Sequence, residues 1–167
     1  MEEKKVIWIT GASSGIGKAV ATKFAKNGWI VAASARRENL LNELKEINEN
    51  IYPFPLDVTD IDKCKLVASS IINQFKNIDI CLFGTGMHDP KSEKKFNLEK
   101  VREIMEVNYF GTMNSINSIY DYFSEKKNGQ ISIISSVAGY RGLPAAGNPL
   151  YPATEETIDI WPLFLSL

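Results

Sequence analysis

Cysteine and histidine are scarce in this sequence, and their scarcity removes several classes of protein. The 2 cysteines among 167 residues, Cys64 and Cys81, cannot build a disulfide framework. Both fall inside apolar patterns, one a helix and one a buried strand, where a thiol serves as a small hydrophobe, and a reducing cytoplasmic setting is expected. The single histidine, His88, has no cysteine or acid at ligand spacing, so no metal site is expected and His88 is assigned no role. Long apolar runs are missing too. Met1-Glu2-Glu3-Lys4-Lys5 is followed by only 4 apolar residues, too few for an export signal or a membrane span. Excess charge of one sign is also absent: 19 Lys plus Arg against 20 Asp plus Glu give a net charge of -1. This argues against a nucleic-acid footprint and against a polybasic membrane surface, and points to a small-molecule ligand.

What is present is a rhythm of strands and helices. With 44% hydrophobic residues, the 167-residue chain suits one domain and is too short for two. Val6-Ile7-Trp8-Ile9 reads as a strand, and Ile16, Ala19, Val20 and Phe24 follow at helical spacing, closed by Asn27-Gly28. Residues 29–34 form a second apolar run. Leu40, Leu41, Leu44 and Ile47 then line one face of a helix ending near residues 48–50. Residues 51–56 read as a third strand, placed at the sheet edge by Pro53 and Pro55. Asp60 can cap a third helix with Cys64, Val67, Ala68, Ile71, Ile72 and Phe75 on its apolar stripe. Residues 79–83 form a fourth strand, and residues 87–96 a charged loop expected to be the least ordered stretch. A helical pattern runs from Asn97 to about Phe123 with Asn108 on its buried face. Lys126-Lys127-Asn128-Gly129 closes it, and residues 130–135 form a fifth strand. Such alternation with right-handed crossovers predicts a doubly wound parallel α/β sheet in the order 3-2-1-4-5, without internal repeats.

In such sheets ligands bind beyond the carboxyl ends of the strands. The first of these ends carries Thr10-Gly11-Ala12-Ser13-Ser14-Gly15-Ile16-Gly17, a glycine turn between strand and helix. Gly11 allows the tight turn, Gly15 lets the backbone approach a pyrophosphate, and Gly17 lets the helix lie close on the sheet. The helix N-terminus faces the anion with free N–H groups and its positive dipole end. An NAD binder places an acid about twenty residues further on, to hold the ribose hydroxyl. Here that position falls on Arg36 and Arg37, whose guanidinium groups suit a 2'-phosphate and hence NADP(H) over NAD(H). The competing reading is a pair of solvated charges ahead of the next helix, and Glu38 is the one nearby acid that would favour NAD.

The TGxxxGxG spacing, together with Asn108 in Glu106-Val107-Asn108-Tyr109-Phe110-Gly111, Ser135-Ser136 after the fifth strand and Tyr151 beyond it, resembles the classical short-chain dehydrogenase/reductase family. The resemblance implies a Rossmann-type sheet, with residues 1–167 a single NAD(P)-binding domain from which the family's C-terminal strands are missing. By resemblance, Thr10, Gly11, Ser13, Ser14, Gly15, Ile16 and Gly17 bind the cofactor with Arg36 and Arg37. Asp57 and Val58 contact the adenine, although an Asp there also suits a turn. Gly84 and Gly86 offer backbone to the ribose, yet Phe83-Gly84-Thr85-Gly86 lacks the asparagines of the family's Asn-Asn-Ala-Gly. Ser136, Tyr151 and Asn108 take the catalytic positions: the serine polarises the substrate oxygen, the tyrosine exchanges a proton and the asparagine holds a water. A structural role for the Asn108 amide is the alternative.

One departure bears on activity. The family's Tyr-x-x-x-Lys reads Tyr151-Pro152-Ala153-Thr154-Glu155, so a carboxylate stands where an ammonium would lower the tyrosine pKa. The resemblance therefore implies an oxidoreductase moving hydride between NADP(H) and a carbonyl or alcohol substrate. The alternative is a nucleotide-binding but catalytically inactive truncated remnant, since the chain is expected to stop inside the tyrosine helix. Family members pair through the helices that hold Asn108 and Tyr151. A homo-oligomer is accordingly expected, and the apolar tail at residues 160–167, with no later element to bury it, adds to that tendency.

Overall fold

A computed structural model of the protein describes residues 4–87 and 97–136, together with the backbone of residues 165–166. β1 (Val6–Thr10) is buried along its whole length. Val6 and Trp8 pack into one apolar layer and Ile7 and Ile9 into the other, as a strand covered on both faces requires. β2 (Ile30–Ser34), β3 (Ile51–Pro53), β4 (Ile80–Phe83) and β5 (Gln130–Ile133) join it in parallel, in the order β3-β2-β1-β4-β5. This is the expected topology. β3 is shorter than the apolar run suggests: Pro53 stands opposite Ala33 and has no N–H to give, and the next contact is the Phe54 N–H donating to the Ala33 carbonyl at 2.8 Å.

A further strand, β6 (Leu165–Ser166), lies antiparallel against β5, opposite Ile131 and Gln130. The backbone of these two residues thereby joins the sheet at its β5 edge. Two residues carry no period, so the apolar pattern of the tail gives no sign of this pairing.

The helices divide between the two faces. α1 (Gly15–Lys26) and α2 (Glu38–Ile47) bring Ala21, Ala25, Leu41 and Leu44 onto Ile7, Ile9, Val31 and Ile51. α3 (Ile61–Phe75) opens on Asp60, whose carboxylate accepts the Lys63 N–H at 2.9 Å. It packs Val67 and Ile71 against Val6, Trp8 and Cys81 on the opposite face. On α1 the residues fully buried are Gly17, Ala21 and Ala25, whereas Ile16 is 62% exposed and Ala19 is exposed as well. The large apolar residues thus misidentify the contact face. A helix lying close on a sheet needs small side chains at i, i+4 and i+8, and Val20 and Phe24 pack only along its flank.

The expected single helix from Asn97 is divided. α4 (Leu98–Met105) passes into a π-helical turn, Glu106–Phe110, then α5 (Gly111–Asn117) and, after a break, α6 (Tyr120–Lys126). The hydroxyls of Thr112, Ser115 and Ser118 donate to the carbonyls of Asn108, Gly111 and Ser115 at 2.7, 2.8 and 2.7 Å. Side chains that bond back in this way bend helices, and the π turn inserts the widened pitch at Asn108. The helix stop at Lys127 is left-handed, with φ 51°.

Both cysteines are free and buried. Burial pushes the Cys64 thiol up to about 11 from 9.0, against a smaller downward pull from the Ser115 hydroxyl, and burial raises Cys81 in the same direction. The folded state therefore holds protons that the unfolded chain has released, so this stabilisation is complete below pH 9 and is lost as pH rises toward 11. Denaturant unfolding at pH 8 and pH 10 should show a loss of stability that is smaller in Cys64→Ala than in the parent. Equal losses would count against this thiol as a source of alkaline sensitivity.

Candidate functional site

The carboxyl ends of the parallel strands meet around the glycine turn. Thr10, buried at the end of β1, accepts the Gly84 N–H on its hydroxyl at 3.2 Å and so holds the β4 end beside the turn. Gly11 has φ +71°, and a Cβ there would stand 2.5 Å from the Gly84 carbonyl oxygen. A Cβ at Gly17 would overlap the Gly11 carbonyl, so the first turn of α1 rests on backbone with no space for a side chain. Gly15 is left-handed at φ +53° but faces open space, with nothing within 4 Å of where a Cβ would lie. The Lys18 N–H is the first in α1 to find a helical partner, the Ser14 carbonyl at 3.1 Å. Among the described residues the N–H groups of Gly15, Ile16 and Gly17 have none, which leaves a row of donors at the positive end of the helix dipole.

Ser14 is the N-cap residue of α1, yet its hydroxyl makes no bond to the helix amides. It accepts instead from Arg37 Nη2 at 3.1 Å, and the same nitrogen donates to Ser13 Oγ at 2.9 Å. The end of β2 is thus tied across to the glycine turn. Arg36 is exposed, and among the described residues neither arginine is paired with a carboxylate.

The remaining strand ends complete the walls. After β3, Asp57 Oδ1 accepts from the Thr59 N–H and hydroxyl at 3.1 and 2.9 Å, which is the turn-forming use of an Asp. Val58 is buried, its carbonyl accepts Asn114 Nδ2 at 3.0 Å, and its side chain fills the space beside Gly111. After β4, Gly84, Thr85 and Gly86 run along the cleft. Phe83 turns inward and meets Trp8 edge-on, with ring centroids 5.4 Å apart.

Together these segments enclose one cleft of about 300 Å³. From the turn come Gly11, Ser13, Ser14, Gly15, Ile16 and Gly17, and from the strand ends Arg36, Arg37, Asp57, Val58, Gly84 and Gly86. Ala35, Leu56, Thr85, Val107 and Ile134 also line it, none of which the sequence singled out. Their signal was available only as position, each lying next to a strand end or a motif residue. Thr10, Asn108 and Ser136 do not line this cleft; Thr10 supports it from below.

Asn108 is 1% exposed, and its amide is engaged at both ends. Its Oδ1 accepts the Met87 N–H at 2.7 Å and its Nδ2 donates to the Met87 carbonyl at 3.1 Å. That two-point bond anchors the segment leaving β4. Ser136 is partly buried and lies three residues past the end of β5, where the Ile134 N–H still donates to the Phe83 carbonyl at 2.9 Å. His88, Tyr151 and Glu155 lie outside the described residues.

A parallel sheet with a glycine turn, free helix amides and unpaired cations at its carboxyl ends is the arrangement of nucleotide-binding α/β proteins. The particular family is plain: this chain belongs to the short-chain dehydrogenases, whose family model matches residues 5–159. It is 36% identical over 151 residues to the dehydrogenase/reductase SDR family protein 7-like of Dictyostelium discoideum, covering 84% of this chain and 48% of that protein. It is 33% identical over 150 residues to the 3-oxoacyl-[acyl-carrier-protein] reductase FabG of Thermotoga maritima, covering 87% of this chain and 61% of that one. Among solved structures, that of ElxO with NADP bound superposes with a TM-score of 0.83 at 26% identity, covering 93% of this chain and 64% of that one. The chain spans about half the length of the curated relatives it matches first.

The contact between Gly17 and Gly11 makes a specific demand. Gly17→Ala should lower stability by about 1–3 kcal/mol, because the methyl meets rigid backbone that cannot yield as a side chain would. Gly28→Ala, at a helix end open to solvent with φ +83°, should cost about 1 kcal/mol from its left-handed backbone. Urea unfolding of both variants measures the difference, and a smaller loss at Gly17 than at Gly28 would contradict the packing argument.

Proposed function

We propose that this chain binds NADP(H) in the cleft around residues 11–17 and is an oxidoreductase acting between that cofactor and a carbonyl or alcohol substrate. The observation that carries the reading is the convergence of three free helix amides with Arg36 and Arg37 on one cleft. The cofactor fits this donor set: the amides of Gly15, Ile16 and Gly17 suit the pyrophosphate, the open side of Gly15 gives it room, and a guanidinium suits the 2'-phosphate. That a related structure holds NADP supports the assignment. Fluorescence titration should give tighter binding of NADPH than NADH, and Arg36→Asp combined with Arg37→Ala should reverse the order. Equal affinities in the parent chain would sink the preference for NADP(H).

When bound, the cofactor supplies or accepts the hydride. Ser136 is assigned the hydrogen bond that polarises the substrate oxygen, and Tyr151 the proton exchange with it. Asn108, by holding the Met87 backbone, sets the wall between the β4 end and the helix that follows. A second reading, nucleotide binding without turnover, is favoured by Glu155. A carboxylate four residues past Tyr151 disfavours the phenolate, so alcohol oxidation, which needs a base, should suffer more than carbonyl reduction, which needs an acid. Assays with NADPH across a panel of ketones and aldehydes should show weak reduction that Tyr151→Phe abolishes and Glu155→Lys increases. Binding of NADPH with no turnover in either the parent or Glu155→Lys would establish the second reading.

A further inference from the structure

We propose that the two adjacent arginines do different work: Arg37 is a positioning residue for the phosphate turn, and Arg36 alone distinguishes NADPH from NADH. The proposal rests on the nucleotide reading above and goes beyond it. A serine at a helix N-cap ordinarily turns its hydroxyl onto the second or third amide of the helix. Ser14 occupies that position with extended backbone, φ -159° and ψ 173°, and makes no such bond. Its hydroxyl is held by Arg37 Nη2, which also holds Ser13 Oγ, and Ser13 is only 8% exposed. One nitrogen thereby spends both of its hydrogens on consecutive hydroxyls of the turn.

The consequence lies at the amides. A cap hydroxyl pulled toward the β2 end cannot occupy the donors of Ile16 and Gly17, and those donors stay open toward the cleft. Without Arg37, Ser14 is free to rotate into the ordinary cap geometry and compete with any anion for the same N–H groups. This competition is blind to the 2'-phosphate, because it concerns the pyrophosphate end that both nucleotides share. Arg36, exposed and bonded to no described residue, has all of its donors available for a group that only NADPH carries.

The test is a binding matrix of NADPH, NADH and inorganic pyrophosphate against Arg36→Ala, Arg37→Ala, the pair Ser13→Ala with Ser14→Ala, and Arg37→Ala combined with that pair. Arg37→Ala should weaken both nucleotides and pyrophosphate about tenfold and leave the NADPH/NADH ratio within about twofold. Arg36→Ala should weaken NADPH about tenfold or more and leave NADH and pyrophosphate within about twofold. Once both serines are alanine, removal of Arg37 should produce no further loss of pyrophosphate or NADH, since it then has nothing in the turn to hold. A loss confined to NADPH in Arg37→Ala, or an undiminished loss in the serine-free background, overturns the division of labour while leaving the nucleotide reading intact. If the parent chain binds neither nucleotide, the reading itself fails and this inference with it.

Discussion

No side chain fits where three backbones meet at the head of β1. Gly17 rests on the Gly11 carbonyl and Gly11 rests on the Gly84 carbonyl, so the first turn of α1, the glycine turn and the end of β4 are stacked backbone against backbone. This contact fixes how low α1 sits on the sheet, which in turn demands the small residues Ala21 and Ala25 further along the same face. It also fixes the separation of β1 and β4 at their carboxyl ends, where the Thr10 hydroxyl takes the Gly84 N–H. The cleft is the space left over. Its amides point outward because the turn that carries them cannot relax inward against Gly84.

The other side of the cleft is held by polar clamps that reach from the helical segment 106–118 to the loops after β3 and β4. Asn108 grips the Met87 backbone at both polar atoms, and Asn114 takes the carbonyl of Val58, whose methyl groups occupy the space at Gly111. A buried amide bonded at two points costs more to disturb than an apolar contact of the same size, because each lost partner leaves a desolvated group behind. The π turn belongs to this arrangement. It lies where Asn108 must reach sideways to the β4 loop while Val107 faces the cleft, and both residues are buried.

Strand order and the position of the glycine turn were legible because they rest on periodicity and on residues with a single backbone rationale. The edge place of β3 follows from Pro53, and the cap of α3 from Asp60. Less legible was anything decided by side chains meeting across the fold. The apolar period passes through residues 98–123 without marking the π turn or the break before Tyr120, since hydroxyls bonding back to carbonyls leave hydrophobicity unchanged. The contact face of α1 is defined by smallness rather than by apolar size, so Ile16 was grouped with it although it opens onto the cleft. The bond from Arg37 to Ser13 and Ser14 spans 24 and 23 residues and has no local signature at all.

The end of β4 shows how a departure from the family pattern is absorbed. Where the resemblance leads one to expect two asparagines, Phe83 and Gly84 stand, and the polar bonds of such asparagines have to be replaced or dispensed with. Phe83 enters the apolar layer and meets Trp8 edge-on, while the Trp8 indole N–H donates to Ser34 Oγ at 2.9 Å within the sheet. An aromatic pair of this kind adds about 0.5–1.5 kcal/mol beyond its buried area, comparable to the net contribution of a hydrogen bond. Gly84 lets the chain pass close beside Gly11, and the Thr10 hydroxyl takes over the cross-strand bond to its amide. The exchange leaves no side-chain amide at residues 84–86, where Thr85 between two glycines lines the cleft. Positive charge at the cleft comes instead from the end of β2, where Arg37 is held by Ser13 and Ser14 and Arg36 is exposed.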